Sequence, residues 1–231
     1  SGFRVYLLER QTAIGGRMAQ LDKTFPTNDC AMCILAPKLV DAGRHPNIEL
    51  ITNAEVMGVD GAAGNFQVTV KEHPRFVDED KCVGCGLCAE RCPVKVPNEF
   101  DMGMGERKAI YVPYPQAVPL KYAIDRDHCL YFKTGKCKLC EKVCPTHAIN
   151  HEQRGKKTVL DVGSIIVAPG YEQFDPRVKS EYGYGVYPNV VTGLEFERML
   201  NASGPTGGHV QRRSDDAVPK KIAFIQCVGS R

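Results

Sequence analysis

The sequence predicts an α/β framework carrying a cysteine-rich insertion. Strand-like segments stand on either side of the insertion, at "FRVYLLER" and "KKTVLDVGSIIVAPG". A glycine turn runs into a helix at "AIGGRMAQ". Between the strands, a block from about Asp78 to Ile149 holds eight of the eleven cysteines.

In chain order, "FRVYLLER" reads as a short buried strand ending in Glu9, and "NDCAMCILAPKLVDAGRHP" as a loop and a short helix interrupted by Pro37. "NIELITNAEVMGVDGAAGNFQVTVKEH" alternates like strands about a turn at "DGAAGN", predicting a hairpin or small meander. After the cysteine block, strand character returns through "SIIVAPG". "VVTGLEFERMLNAS" predicts a helix starting near Thr192, and "GPTGGHVQRRSDDAVP" a polar linker before a last strand, "KKIAFIQ". The expected domains are 1–77 and 153–200 for the framework, 78–152 for the insertion, and 201–231 for the linker and the start of a second nucleotide-domain-like region.

With 43% hydrophobic and 25% charged residues the composition is globular. The formal charge of +3 is nearly balanced and Lys and Arg are dispersed, so nucleic-acid binding gets little support. No apolar run approaches the roughly 20 residues that span a bilayer, and "SGFRVYLLER" lacks the regions of a signal peptide. A cytoplasmic protein with no membrane span is therefore expected. Ten of the eleven cysteines fall in tight groupings when Cys129 is counted with the run it precedes. Such enrichment in a cytosolic chain of this size points to metal, not to a disulfide framework.

"CVGCGLCAERCP" matches C-x-x-C-x-x-C-x-x-x-C-P in full at Cys82, Cys85, Cys88, Cys92 and Pro93. Three closely spaced thiolates can wrap three irons of one cubane, with Gly84 and Gly86 letting the backbone approach. In two-cluster ferredoxins the fourth cysteine of such a run serves the other cluster. A second run is thus required, and "DHCLYFKTGKCKLCEKVCP" supplies it with an enlarged first step. The assignment is one [4Fe–4S] cluster on Cys82, Cys85, Cys88 and Cys144, and another on Cys129, Cys137, Cys140 and Cys92. The seven residues "LYFKTGK" then form a loop insertion, which is cheap because closure entropy grows only logarithmically with length. Zinc is the competing reading, but it requires neither three cysteines in one C-x-x-C-x-x-C run nor a proline after each last cysteine. A [3Fe–4S] cluster at the altered site is a third. His128 and His147 flank ligand cysteines, either tuning them or as exposed histidines.

Glu9 could bind the ribose hydroxyls of a dinucleotide or be a surface acid opening a turn. Gly15 and Gly16 allow approach to a pyrophosphate that Arg17 could pair with. This E-x5-G-G-R arrangement resembles the second half of the FAD site in flavoproteins of the thioredoxin-reductase type. That resemblance implies a Rossmann-like FAD-binding framework, into which the cysteine runs set an α+β bacterial-type two-[4Fe–4S] ferredoxin domain. "VAPG", with Pro169 and Gly170, is similar to the turn closing the FAD domain there, where the middle residue is more often Thr. A preceding G-x-G-x-x-G loop is absent, so a fragment of a longer protein is expected. Cys30 and Cys33 form the candidate catalytic pair, with three readings open: a dithiol placed near a helix N-terminus by Asn28 or Asp29 as N-cap, two ligands of a further cluster, or buried structural cysteines.

Across nearly the whole chain, "GGRMAQLDKTFPTNDCAMCILAPKLVDAGRHPNIEL", "IIVAPGYEQFDP", "PNVVTGLEFERML" and "IAFIQCVGSR" resemble the A subunit of the heterodisulfide reductase family. The resemblance implies FAD and [4Fe–4S] clusters, flavin-based electron bifurcation in methanogenesis, a hydrogenase or formate dehydrogenase input, ferredoxin, and partner subunits of the B and C types. It also implies that Cys227 is a ligand of a further cluster completed outside this chain. "CVGSR" is no G-x-G-x-x-G, which disfavours direct NAD(P)H use. Rival readings are a non-bifurcating flavin/iron–sulfur oxidoreductase of the glutamate-synthase small-subunit or quinone-interacting type, and a pure ferredoxin-like electron-transfer module.

Overall fold

Short apolar strands need partners to satisfy their backbones, and how they find them sets the architecture of the computed structural model, which describes residues 2–230. The chain divides into two units, one built from residues 1–15, 35–96 and 106–168, the other from 16–34, 97–105 and 169–231.

In the first unit, Val5–Leu8 (β1) pairs in parallel with Ile48–Ile51, in register from Val5 opposite Ile48 to Leu8 opposite Ile51. The hairpin expected at "DGAAGN" forms between Ala54–Ala62 and Asn65–Glu72, and Lys156–Val162 adds antiparallel to the latter. Gly61 and Gly64 take φ of 98° and 91° at the turn, and a side chain at Gly61 would strike the carbonyl of Asn65. Ile51, Ala54, Val68, Val70 and Leu160 fill the core of this part, with Tyr6 and Leu8 packed against it. A second cluster of Phe76, Val77, Ile110, Ile124 and Ala148 includes the cysteines Cys82, Cys88 and Cys129. Sulfur is thus part of the core of the cysteine block.

The second unit contains a small hairpin of Lys23–Thr24 (β2) and Asp29–Cys30 (β3). It also holds the helix Gly193–Leu200. That helix starts where expected, because Thr192 accepts the N–H of Glu195 while the Glu195 carboxylate accepts the N–H of Thr192. Its Arg198 is buried, donating to Asp101 Oδ1 at 3.0 Å and to the Gln20 carbonyl at 3.2 Å, with its guanidinium over the Phe100 ring.

Four local expectations differ from the structure. The helix Ala31–Arg44 (α1) continues through Pro37 without interruption. Burial of Ala31 and Leu39 on one stripe outweighs the single interior N–H that proline removes. "AIGGRMAQ" ends in one short 3-10 turn, Gly16–Gln20, not an α-helix. "SIIVAPG" and "KKIAFIQ" adopt no strand; Ile166 is 91% exposed and Phe224 68%. A buried strand needs ladder partners on its flanks, and among the described residues the parallel sheet has only its two strands, β1 and Ile48–Ile51.

Candidate metal centre

Two short helices repeat one local design. Leu87–Arg91 (α2) follows Cys85 and ends at Cys92, with φ −70° and ψ 122°. The helix after Cys137, Leu139–Val143, ends at Cys144 with φ −75° and ψ 110°. Each terminal cysteine precedes a proline, which bars the helical conformation and turns the chain extended. The Cys-Pro step therefore swings the fourth sulfur away from its own run. Gly84 and Gly86 hold φ of 70° and 88° in the first run. A Cβ on Gly84 would lie 2.9 Å from the Leu120 carbonyl, so glycine is required there.

The result is two separate spaces. Cys82, Cys85, Cys88 and Cys144 line a partly open cavity with Val77, Tyr122 and other side chains. Cys92, Cys129, Cys137 and Cys140 line another, walled by residues including Ile110 and Ile124. No carboxylate or imidazole lines either one. Among the described residues, no three His, Cys, Asp or Glu side chains converge closely enough to hold a single ion. Four cysteines around an open space with no carboxylate or imidazole fit a multi-iron cluster, whose ligands are cysteine thiolates.

"LYFKTGK" is not a plain loop. Leu130–Thr134 (α3) is a one-turn helix begun at Cys129 and closed by Gly135 at φ 72°. Tyr131 and Phe132 pack inward, Phe132 against Phe76 at 4.5 Å and Tyr131 against His151 at 4.0 Å between centroids. The insertion thus forms part of the wall behind Cys129.

Burial pushes the thiols of Cys88 and Cys140 up to about 12, and neighbouring cysteines add to the effect. Burial would raise Cys144 as well, but the Ala148 N–H at 3.3 Å and Thr146 outweigh it and hold this thiol below its usual value.

The 4Fe-4S binding domain family matches residues 75–98, the stretch that carries the first run. The whole chain is 60% identical over 230 residues to the iron-sulfur A subunit of CoB–CoM heterodisulfide reductase from Methanocaldococcus jannaschii, covering 34% of that protein. It is 56% identical over its whole length, and 34% of the relative's, to the A subunit of the H(2):CoB-CoM heterodisulfide,ferredoxin reductase from Methanothermobacter thermautotrophicus. The A subunit of the ferredoxin/F(420)H(2)-dependent CoB-CoM heterodisulfide reductase from Methanosarcina acetivorans is 49% identical over 232 residues, with 29% of its length covered. The chain belongs to the heterodisulfide reductase A-subunit family. It spans about a third of the length of the curated relatives it matches.

In this member of the A-subunit family, sequence spacing does not reveal several groups around the cysteines. Lys121 Nζ donates to the Cys82 carbonyl and Lys108 Nζ to the Cys92 carbonyl, each at 2.7 Å, so each run has one ammonium fixed at a cysteine backbone. Asp125 secures the approach to Cys129, accepting from Arg107 at 2.8 Å and from His128 Nδ1 at 2.9 Å, while its carbonyl accepts the Cys129 N–H. Burial would raise the Asp125 carboxyl, but Arg107 and His128 outweigh it and hold it low. His151 is buried, with Nε2 3.9 Å from Cys140 Sγ and Nδ1 3.3 Å from Glu141. Of the two histidines singled out by sequence, His128 is exposed and tied to Asp125, and His147 is exposed with φ 50°. Only the Cys-flanking position marked a histidine by sequence, so His151 went unsignalled.

The remaining sequence-predicted residues line neither cavity. Glu9 follows β1 and its carboxylate accepts the Gln11 N–H at 2.8 Å. Gly15 and Gly16 have φ of 130° and 53°. Arg17 donates to Gln20 Oε1 at 2.9 Å, and Gly170, after Pro169, has φ 71°. Positive φ at three of these glycines accounts for glycine there; the fragment of parallel sheet is too small to define an FAD cradle. Cys30 and Cys33 are bonded to each other with Cα atoms 5.2 Å apart. The helix cap is Cys30 itself, whose sulfur accepts the Cys33 N–H at 3.1 Å, and not Asn28 or Asp29. Cys33 is exposed, contrary to the reading as a buried structural pair. Cys227 is exposed in a turn at φ 58°, its carbonyl accepting from Ser230. No described helix is long and apolar enough to cross a membrane.

Proposed function

We propose that this chain is the electron-transfer segment of a heterodisulfide reductase A-type oxidoreductase, with one [4Fe–4S] cluster on Cys82, Cys85, Cys88 and Cys144 and another on Cys92, Cys129, Cys137 and Cys140. The observation that carries it is the exchange of last cysteines: each C-x-x-x-C-P run sends its final sulfur to the cavity formed by the other. The C-x-x-C-x-x-C run and the proline after each last cysteine support iron–sulfur over zinc. Bound there, the clusters supply one-electron carriers.

The residues of the chain do the rest. The eight thiolates bind and space the irons. The walls include the apolar Val77, Ile110 and Ile124, and Lys108 and Lys121 place positive charge at the Cys92 and Cys82 carbonyls, near enough to each run to favour the more negative, reduced state. Glu9, Gly15, Gly16, Arg17, Pro169 and Gly170 would hold part of an FAD in the full-length protein, within a framework of residues 1–77 and 153–200 around a ferredoxin insertion of 78–152. FAD there supplies exchange between two-electron and one-electron carriers, as bifurcation between heterodisulfide and ferredoxin requires. The proposed partners are ferredoxin, a hydrogenase or formate dehydrogenase, and subunits of the B and C types, with Cys227 a ligand to a cluster completed elsewhere.

The test is anaerobic reconstitution followed by joint counting of iron, sulfide and zinc. About eight irons and eight sulfides per chain are expected; bound zinc without sulfide refutes the reading.

A further inference from the structure

The sequence contains four C-x-x-C steps: Cys30–Cys33, Cys82–Cys85, Cys85–Cys88 and Cys137–Cys140. Three of them turn their sulfurs onto a cavity and stay unbonded. Only Cys30 and Cys33 close on each other, and neither lines one of the two thiol-walled spaces. Identical spacing therefore has two outcomes in one chain, and this pair is on the side of sulfur–sulfur chemistry.

The two sulfurs are not equivalent. Cys33 is exposed on the first turn of the 14-residue helix α1. Cys30 is half-buried at the end of β3, opposite Lys23 on β2, and its sulfur accepts the Cys33 N–H at 3.1 Å. An N–H at a helix start, with the positive end of the helix dipole behind it, favours a thiolate. In thiol–disulfide exchange the better stabilised sulfur leaves and the accessible one is attacked.

We propose that Cys30–Cys33 is a redox-active disulfide that exchanges with low-molecular-weight thiols and disulfides, with Cys33 as the attacked sulfur and Cys30 as the leaving thiolate. A thiolate RS⁻ attacks Cys33 Sγ; the Cys30–Cys33 bond breaks, an R–S–Cys33 bond forms, and Cys30 departs as a thiolate held by the Cys33 N–H. A second thiol R′S⁻ attacks the R sulfur, giving RSSR′ and freeing Cys33. The two protons given up by the thiols end on Cys30 and Cys33, and the electron pair that reduces the bond comes from the thiols. Run backwards, the dithiol reduces a small disulfide to two thiols. This reaction is independent of the cluster assignment.

The experiment uses the whole chain, reconstituted anaerobically and poised in mixtures of reduced and oxidised dithiothreitol, then acid-quenched, alkylated and mapped by mass. The peptide with Cys30 and Cys33 is expected to pass from doubly blocked to doubly alkylated across the series with iron content unchanged. In a Cys227→Ser background, Cys30→Ser should trap one mixed disulfide with 5,5′-dithiobis(2-nitrobenzoate) at Cys33, and Cys33→Ser should react at Cys30 at least tenfold more slowly. A peptide that does not change state across the series overturns the proposal, as does equal reactivity at the two sulfurs. Loss of iron or sulfide on either substitution also overturns it, marking the pair as cluster ligands.

Discussion

Cys129 is the proposed ligand that spacing left least certain; its N–H is tied to the Asp125 carbonyl and the residue is buried. Cys129→Ala should lower iron from about eight to about four per chain while the spectroscopic signal of the other cluster persists; an unchanged count would refute the ligand pairing. Asp125→Asn removes the charge that Arg107 and His128 share, and should cost about 1–3 kcal/mol at neutral pH. The sign with pH follows from a folded carboxyl held below its unfolded value. Its stabilisation is present above roughly pH 4 and is lost as pH falls through the folded pKa, so variant and parent should converge in acid denaturation. The cysteines stood out at this scale because candidate ligand chemistry is written in residue type and local spacing. Asp125, Lys108, Lys121 and His151 were not, since nothing within a few positions marks a carboxylate, ammonium or imidazole that acts on a distant backbone or sulfur.

Elements followed local rules where those rules were sufficient. The helix start at Thr192 was legible in the sequence, and Thr192→Ala should destabilise by about 1 kcal/mol, measured by denaturant unfolding of the loaded protein. Gly84→Ala meets both a positive φ and a close carbonyl; it should cost about 1–3 kcal/mol and weaken iron loading at the Cys82, Cys85, Cys88 and Cys144 site first, seen as selective loss of that cluster's signal. The insertion "LYFKTGK" was legible as extra length but not as a helix, because its order comes from Phe76 and His151, remote in sequence from Tyr131 and Phe132. "SIIVAPG" and "KKIAFIQ" failed as strands for the complementary reason: β propensity describes fitness for a sheet, and no described strand flanks them.

For the whole molecule, cysteines in the core of the block make metal and fold interdependent. If both thiol-lined spaces hold the proposed clusters, anaerobic chelation should lower the unfolding temperature of the block containing them; an unchanged transition by calorimetry would show a fold that does not use them. The division into two units joins segments far apart in the chain, 16–34 with 97–105 and 169–231, and composition shifts alone did not mark it. By itself the sequence marked the 4Fe-4S motif of the first run, the grouping of the sulfurs that the two thiol-lined spaces repeat, and the family resemblance, because all three reside in short spacings and ordered motifs. Only the tertiary structure decided that the Cys30–Cys33 step closes on itself and which charged groups stand near the two groups of cysteines. Those depend on contacts between residues many positions apart, whose formation is set by packing and not by local pattern.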